Sequence, residues 1–232
     1  MTSSEFVIHD DMISLVEKKV VKTVSAEAFF DTISKNKPMF TPVLPYNCRL
    51  MASNPRSQIS LFVMERTPKC TPVTFCDVHN KNHKFVISLP FMQFFVMFSM
   101  SGNTPGYQGC YLSCTKKPIM SENDQLYCIP LPNQFESGNE AVCTGHIRVK
   151  TASIPVMVNE LISGYFGSPF NSDLSMHYPS VIGTNDHLKA FKKWHELTEA
   201  NPLFGISKDI EYTPMRCETL KKKCERLLRM ED

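Results

Sequence analysis

The chain lacks a dominant charge, a long apolar run and the short motifs that announce common chemistry. Twenty-five Lys and Arg stand against 23 Asp and Glu, a formal net charge of +2. That balance is too close to neutral to announce nucleic acid, whose binding normally needs a concentrated basic face, and no nucleic-acid partner is expected. The most apolar segment, Phe85 to Phe98, is too short to span a bilayer and is interrupted by Pro90 and Gln93, so no membrane span is expected. The opening Met1-Thr2-Ser3-Ser4-Glu5 has no basic start before an apolar run, and a cytoplasmic location is expected. No Gly-rich phosphate loop, serine elbow, paired-carboxylate motif or internal repeat is present, which removes the obvious nucleotide and hydrolase classes.

What is present describes a folding chain. Its 232 residues suffice for a sizeable core, and 42% hydrophobic with 21% charged residues is ordinary for a globular protein. Nine cysteines, an odd number without a small secreted framework, point to free thiols in a reducing compartment.

Near the start, Phe6 to His9 and Val20 to Val24 have strand composition. Ser25 then reads as the cap of a helix carrying Ala26, Phe29, Phe30 and Ile33. Pro38, Pro42, Pro45 and Pro55 mark an irregular connector. A sheet follows. Ile59, Leu61 and Val63 alternate within Gln58 to Arg66, Val73 to Val78 is a short strand, and Pro90 must break the run from Phe85 to Met100. Asn103-Thr104-Pro105-Gly106 reads as a turn, with strands at Gly109 to Thr115 and Gln125 to Pro130.

The remainder is helical in pattern. Pro155 opens a helix presenting Val158, Leu161, Ile162, Tyr165 and Phe166, and Asn185 caps another presenting Leu188, Phe191 and Trp194. A last helix over Met215 to Met230 sets Cys217, Leu220, Cys224, Leu227 and Leu228 on one face. Lys221, Lys222, Lys223, Arg226 and Arg229 then fall on the solvated remainder. The expected class is α+β, an antiparallel sheet with helices against it. The expected division is a strand and helix extension over 1–37, a central domain over 38–200 and a basic C-terminal helix over 201–232.

One loop carries the strongest chemical signal. Leu126-Tyr127-Cys128-Ile129-Pro130-Leu131-Pro132-Asn133 leads through Gly138 to Cys143-Thr144-Gly145, placing an asparagine and a cysteine after a strand. A cysteine there can hold an acyl group as a thioester, and a nearby amide can donate to the oxyanion formed when an amine attacks. His146 or Arg148 would favour the thiolate if they face it, and Asp124, Glu136 and Glu140 are candidates to deprotonate an incoming amine. The bland readings are a buried structural cysteine and an asparagine that only forms its own turn. A further reading groups Cys110, Cys114, Cys143 and His146 as a structural zinc site of three thiolates and one imidazole. His79, His83 and His187 have no metal spacing among themselves and read as surface or satisfied histidines.

Several features in order give a family resemblance: Leu44-Pro45, Ser88-Leu89-Pro90 before Phe94-Phe95-Val96-Met97-Phe98, Tyr127, Pro130, Pro132-Asn133 and Gly138. Val142-Cys143-Thr144-Gly145 and Tyr165-Phe166-Gly167-Ser168-Pro169-Phe170 complete the series. Over roughly Pro38 to Pro179 the chain resembles the prokaryotic ubiquitin-conjugating-enzyme-like family D, that of the PRTRC plasmid system protein B. The resemblance implies a ubiquitin-conjugating-like fold, a twisted antiparallel sheet backed by helices, with no cofactor. It implies a ubiquitin-like modifier and its adenylating activating enzyme as partners, Cys143 as the thioester nucleophile, and Asn133 steadying the loop and oxyanion. A non-catalytic module of the same fold in a plasmid or phage complex is the alternative.

Overall fold

A computed structural model describes residues 5–9, 12–17, 19–25, 44–54, 58–101, 104–133, 141–144, 153–172 and 178–229. The chain divides into two compact units, Met1–Val43 and Leu44–Asp232.

In the first unit, strands β1 (Glu5–His9), β2 (Met12–Glu17) and β3 (Lys19–Ser25) form an antiparallel sheet in sequential order. The expected strands near Phe6 and Val20 are present, and a third lies between them. The expected helix over Ala26 to Ile33 falls outside the described residues.

The second unit is mixed α+β. Its strands are β4 (Cys48–Asn54), β5 (Ile59–Arg66), β6 (Lys69–Cys76), β7 (Asn82–Leu89), β8 (Phe91–Ser101), β9 (Thr104–Thr115), β10 (Gln125–Tyr127) and β11 (Pro214–Thr219). Its helices are α1 (Ile154–Gly167), α2 (His187–Ala200) and α3 (Leu220–Arg229). Six strands make one antiparallel sheet in the order β11-β10-β9-β8-β5-β4, and β6 with β7 makes a separate hairpin.

Alternation explains why the sheet is covered on both faces. Phe62, Met64, Phe94, Val96, Phe98, Cys110, Leu112 and Cys114 join one core with the β6–β7 hairpin, α1 and α2. Ile59, Leu61, Val63, Phe95 and Met97, the intervening positions, join a second core with Leu126, Met215 and the Leu220, Cys224 and Leu227 face of α3. The central strand β8 is therefore a nearly continuous apolar run rather than an alternating one. Pro90 separates β7 from β8, and the chain changes sheets there, where its missing N–H leaves no ladder bond unmade.

The hairpin is fixed through the outer edge of β7. The amide of Ser88 donates to Thr198 Oγ1 at 2.8 Å, and Trp194 Nε1 donates to the Ser88 carbonyl at 3.0 Å. Two side chains of α2 thus satisfy a backbone edge that would otherwise invite another strand. On the opposite edge, Phe170 donates its amide to the Thr74 carbonyl at 2.8 Å and accepts from the Cys76 amide at 2.7 Å.

Four expectations need correction. The C-terminal helix does not begin at Met215: Pro214–Thr219 is a strand paired with β10, and the helix starts at Leu220. Lys223 is not on the solvated face. It is fully buried, donates to the Leu112 carbonyl at 3.0 Å and lies 4.8 Å from the centre of the Phe95 ring. Its place three residues after Leu220 and four before Leu227 puts it beside the apolar stripe, and its long stem reaches the sheet. Finally, Thr104-Pro105-Gly106 begins β9 rather than forming a turn, and the cap of α2 is Asp186, whose Oδ1 accepts from the Lys189 amide at 3.0 Å.

Candidate functional site

The loop that carries Asn133 and Cys143 is built on the outgoing strands of the large sheet. After β10, Ile129 and Leu131 are buried in the larger core and draw the chain across it. Pro132 is pinned from below: the hydroxyl of Tyr165, a buried residue of α1, donates to its carbonyl at 3.1 Å. A buried tyrosine needs a partner for its hydroxyl, and here that need fixes the loop entrance.

Asn133 follows with φ of +64°, in the left-handed region that asparagine tolerates better than most residues. Its side-chain amide donates to the Pro169 carbonyl, just beyond α1, at 3.4 Å. The returning chain pairs with β9. Ala141 bridges Tyr111, and the Val142 amide donates to the Cys110 carbonyl at 2.8 Å.

Val142 turns its side chain into the core, so Cys143, the next residue in an extended segment, points away from it and is half-buried. The Cys143 amide donates to the Asn133 carbonyl at 2.7 Å. The fold thus brings together the two residues that the sequence pattern singled out, ten positions apart, by a main-chain clasp. The side-chain amide of Asn133 is turned to Pro169, a position that steadies the loop.

No disulfide joins the cysteines whose side chains are described. Cys110, Cys114 and Cys224 are buried, and burial pushes all three thiols up, Cys224 to about 12. These are protonated, unreactive groups at neutral pH. Cys48, Cys70 and Cys76 direct their sulfurs at the carbonyls of Leu50, Pro202 and Asp77. Among the described residues, the Cys143 thiol has no such acceptor, so it is half-buried without being tied back to the chain.

Cys110 and Cys114, grouped above with Cys143 and His146 as zinc ligands, stand four residues apart on β9. That is about 13 Å along an extended strand, whereas one tetrahedral zinc holds each sulfur about 2.3 Å from itself. The Cys114 thiol instead donates to the Cys128 carbonyl at 3.4 Å. Among the described residues no group of three or more His, Cys, Asp or Glu side chains can hold a metal ion. His146, Arg148, Glu136 and Glu140 lie outside the described residues. Asp124 is committed elsewhere: its Oδ2 accepts from the amides of Met120 and Ser121 at 2.7 and 2.9 Å.

Of the three histidines read as surface or satisfied, His79 is exposed and the other two have ring partners. His83 Nε2 lies 2.7 Å from Asp77 Oδ2, and His187 Nδ1 lies 3.1 Å from the Tyr178 hydroxyl. The contributors that the sequence pattern did not single out are the Tyr165 hydroxyl and the Pro169 carbonyl. The sequence pattern marks Tyr165 as an apolar helix position, and the hydroxyl at its far end is the feature that spacing alone does not weigh. Among the described residues no helix is long and apolar enough to cross a membrane. Compared with known proteins, the chain matches no family model, no curated protein and no solved structure.

Proposed function

We propose that this protein carries an activated acyl group on Cys143 and passes it to an amine, in the manner of a ubiquitin-conjugating-like protein. The observation that carries the reading is the 2.7 Å hydrogen bond from the Cys143 amide to the Asn133 carbonyl, which sets a half-buried thiol, without a hydrogen-bond acceptor among the described residues, beside an asparagine held in a left-handed turn. The order of elements supports it as well. Four antiparallel strands neighbouring in the sheet, β4, β5, β8 and β9, precede the cysteine, and α1 and α2 follow it. An antiparallel sheet backed by helices, with the cysteine on a loop after its strands, is the general arrangement the resemblance implies.

In this account the Cys143 thiolate attacks the activated carboxyl terminus of a ubiquitin-like modifier held as a thioester on its activating enzyme. A new C–S bond forms, and the donor thiol leaves. An acceptor amine then attacks the carbonyl, forming C–N as C–S breaks and returning the Cys143 thiol. Asn133 contributes by holding the loop, and its amide reaches an oxyanion only by exchanging the Pro169 carbonyl for it.

A second reading, a non-catalytic module of the same fold, draws support from that same Asn133 to Pro169 contact, which engages the amide elsewhere. Alkylation separates the two. Under native conditions and limiting iodoacetamide, mass mapping is expected to find Cys143 modified at least tenfold faster than Cys110, Cys114 or Cys224. A Cys143 as inert as those buried thiols would favour the module.

A further inference from the structure

The side chains of Arg49, Arg66 and Arg226 are described in the second unit, and they are treated differently. Arg49 places Nε 2.8 Å and Nη2 2.7 Å from Glu65 Oε1. Arg226 reaches Glu218 with Nε at 2.6 Å and Nη2 at 3.1 Å. Arg66, at the end of β5, meets no carboxylate among the described residues. Its neighbour Glu65 belongs to the opposite face of the sheet, where it also accepts from the Ile119 amide at 2.7 Å.

Yet the Arg66 head is held in place. Nη2 donates to Thr71 Oγ1 at 2.7 Å, Nη1 lies 3.9 Å from Met92 Sδ, and the guanidinium carbon sits 4.3 Å from the centre of the Phe166 ring. Thr71 Oγ1 in turn donates to the Lys69 carbonyl at 3.2 Å, so its lone pair is aimed at the arginine. The residue is half-buried, and burial holds its pKa down to about 10. A desolvated cation of fixed orientation, with part of its five-donor fork unused, is the arrangement that binds an oxyanion bidentately at little ordering cost.

We propose that Arg66 anchors a binding site for a carboxylate presented by another molecule. Charge and lining favour a carboxylate over phosphate. One negative charge neutralises one guanidinium, whereas a phosphate dianion would leave excess charge beside Met92 and Phe166. The carboxylate belongs either to an acidic side chain or to a chain terminus, since both offer the same planar pair of oxygens. The inference does not depend on the chemistry at Cys143. The two places are nonetheless joined by the end of α1, where Phe166 carries the arginine and Tyr165 and Pro169 hold the Asn133 loop.

The test is an NMR titration of the Arg66 Nε–Hε resonance and the Thr71 methyl in the full chain. The probes are propionate, an N-acetylated Ala-Glu-Ala amide, an N-acetylated Ala-Ala-Ala with a free terminus, and inorganic phosphate, each against chloride at matched ionic strength. A saturable shift with propionate and with at least one peptide is expected. The peptide that binds more tightly identifies the source. R66K, which keeps the charge and loses the fork, is expected to weaken binding at least tenfold at the Thr71 methyl. R66Q repeats the loss should R66K perturb the fold. No saturable shift, a shift matched by chloride, tighter binding of phosphate, or unchanged binding in R66K would each overturn the proposal.

Discussion

Several side chains sit where their chemistry is costly, and each is matched by a specific partner. The polar row Glu65, Gln93 and Ser113 crosses three neighbouring strands of the large sheet at paired positions. Gln93 Nε2 donates to Thr115 Oγ1 at 3.0 Å, and Ser113 Oγ donates to Gln93 Oε1 at 3.3 Å. Such networks are tolerated in a core because every member is satisfied. Gly205 shows a steric version of the same constraint. A Cβ there would stand 2.6 Å from the Ser88 carbonyl oxygen and 2.7 Å from the Leu89 carbonyl carbon, backbone atoms that cannot swing aside. Its amide also donates to Ser88 Oγ at 3.0 Å, and its carbonyl accepts from the Tyr212 hydroxyl at 2.6 Å. Gly205→Ala is therefore expected to cost about 1–3 kcal/mol by overpacking, read from urea denaturation as a lower midpoint at unchanged slope. An unaltered midpoint would show that the contact is not tight in solution.

The elements differ in how openly the chain declares them. Ile59, Leu61 and Val63 recur at every second position of a largely apolar run, Pro90 must end a strand, and Leu188, Phe191 and Trp194 share one helical face, so β5, the β7–β8 break and α2 were legible. The strand β4 was not, because an edge strand with half-exposed positions, Cys48 to Asn54, carries a weak apolar signal. The strand β11 is masked in the sequence by Leu220 and Leu227, whose helical spacing extends in pattern back through Cys217 to Met215. The hairpin of β6 and β7 permits a test of its turn. Asp77 Oδ1 accepts from the amides of His79 and Lys81, both at 2.9 Å, and Oδ2 lies 2.7 Å from His83 Nε2. The bond from His83, aided by the amides, holds the Asp77 carboxyl down to about 2, against 3.8 ordinarily. A carboxyl depressed in the folded state adds stability that is present above its unfolded pKa and is lost as pH falls through the folded one. The contribution should therefore vanish between about pH 4 and pH 2. Asp77→Asn is expected to flatten that part of the stability profile measured by acid titration and to leave the region below pH 2 unchanged. A profile with the same slope in both proteins would remove Asp77 from the account.

Taken together, the second unit places two cores on opposite faces of one antiparallel sheet, with α1, α2 and the hairpin on one side and α3 on the other. The candidate site belongs to the first side, where β9, β10 and α1 converge on the Asn133 and Cys143 segment. The residue types of that loop were legible from its turn-rich run and from Asn133 and Cys143. The main-chain clasp and the Tyr165 tether were not, because both depend on tertiary placement that spacing does not encode. The thioester chemistry proposed for Cys143 is open to direct trial. The measurement is intact mass spectrometry of the full chain after incubation with candidate ubiquitin-like modifiers, their activating enzymes and ATP, with and without added thiol, beside Cys143→Ser. The account predicts a modifier adduct on the wild type that thiol removes, and in Cys143→Ser either no adduct or one that thiol leaves intact. A thiol-sensitive adduct that persists in Cys143→Ser, or no adduct from any modifier together with an unreactive Cys143, would contradict it.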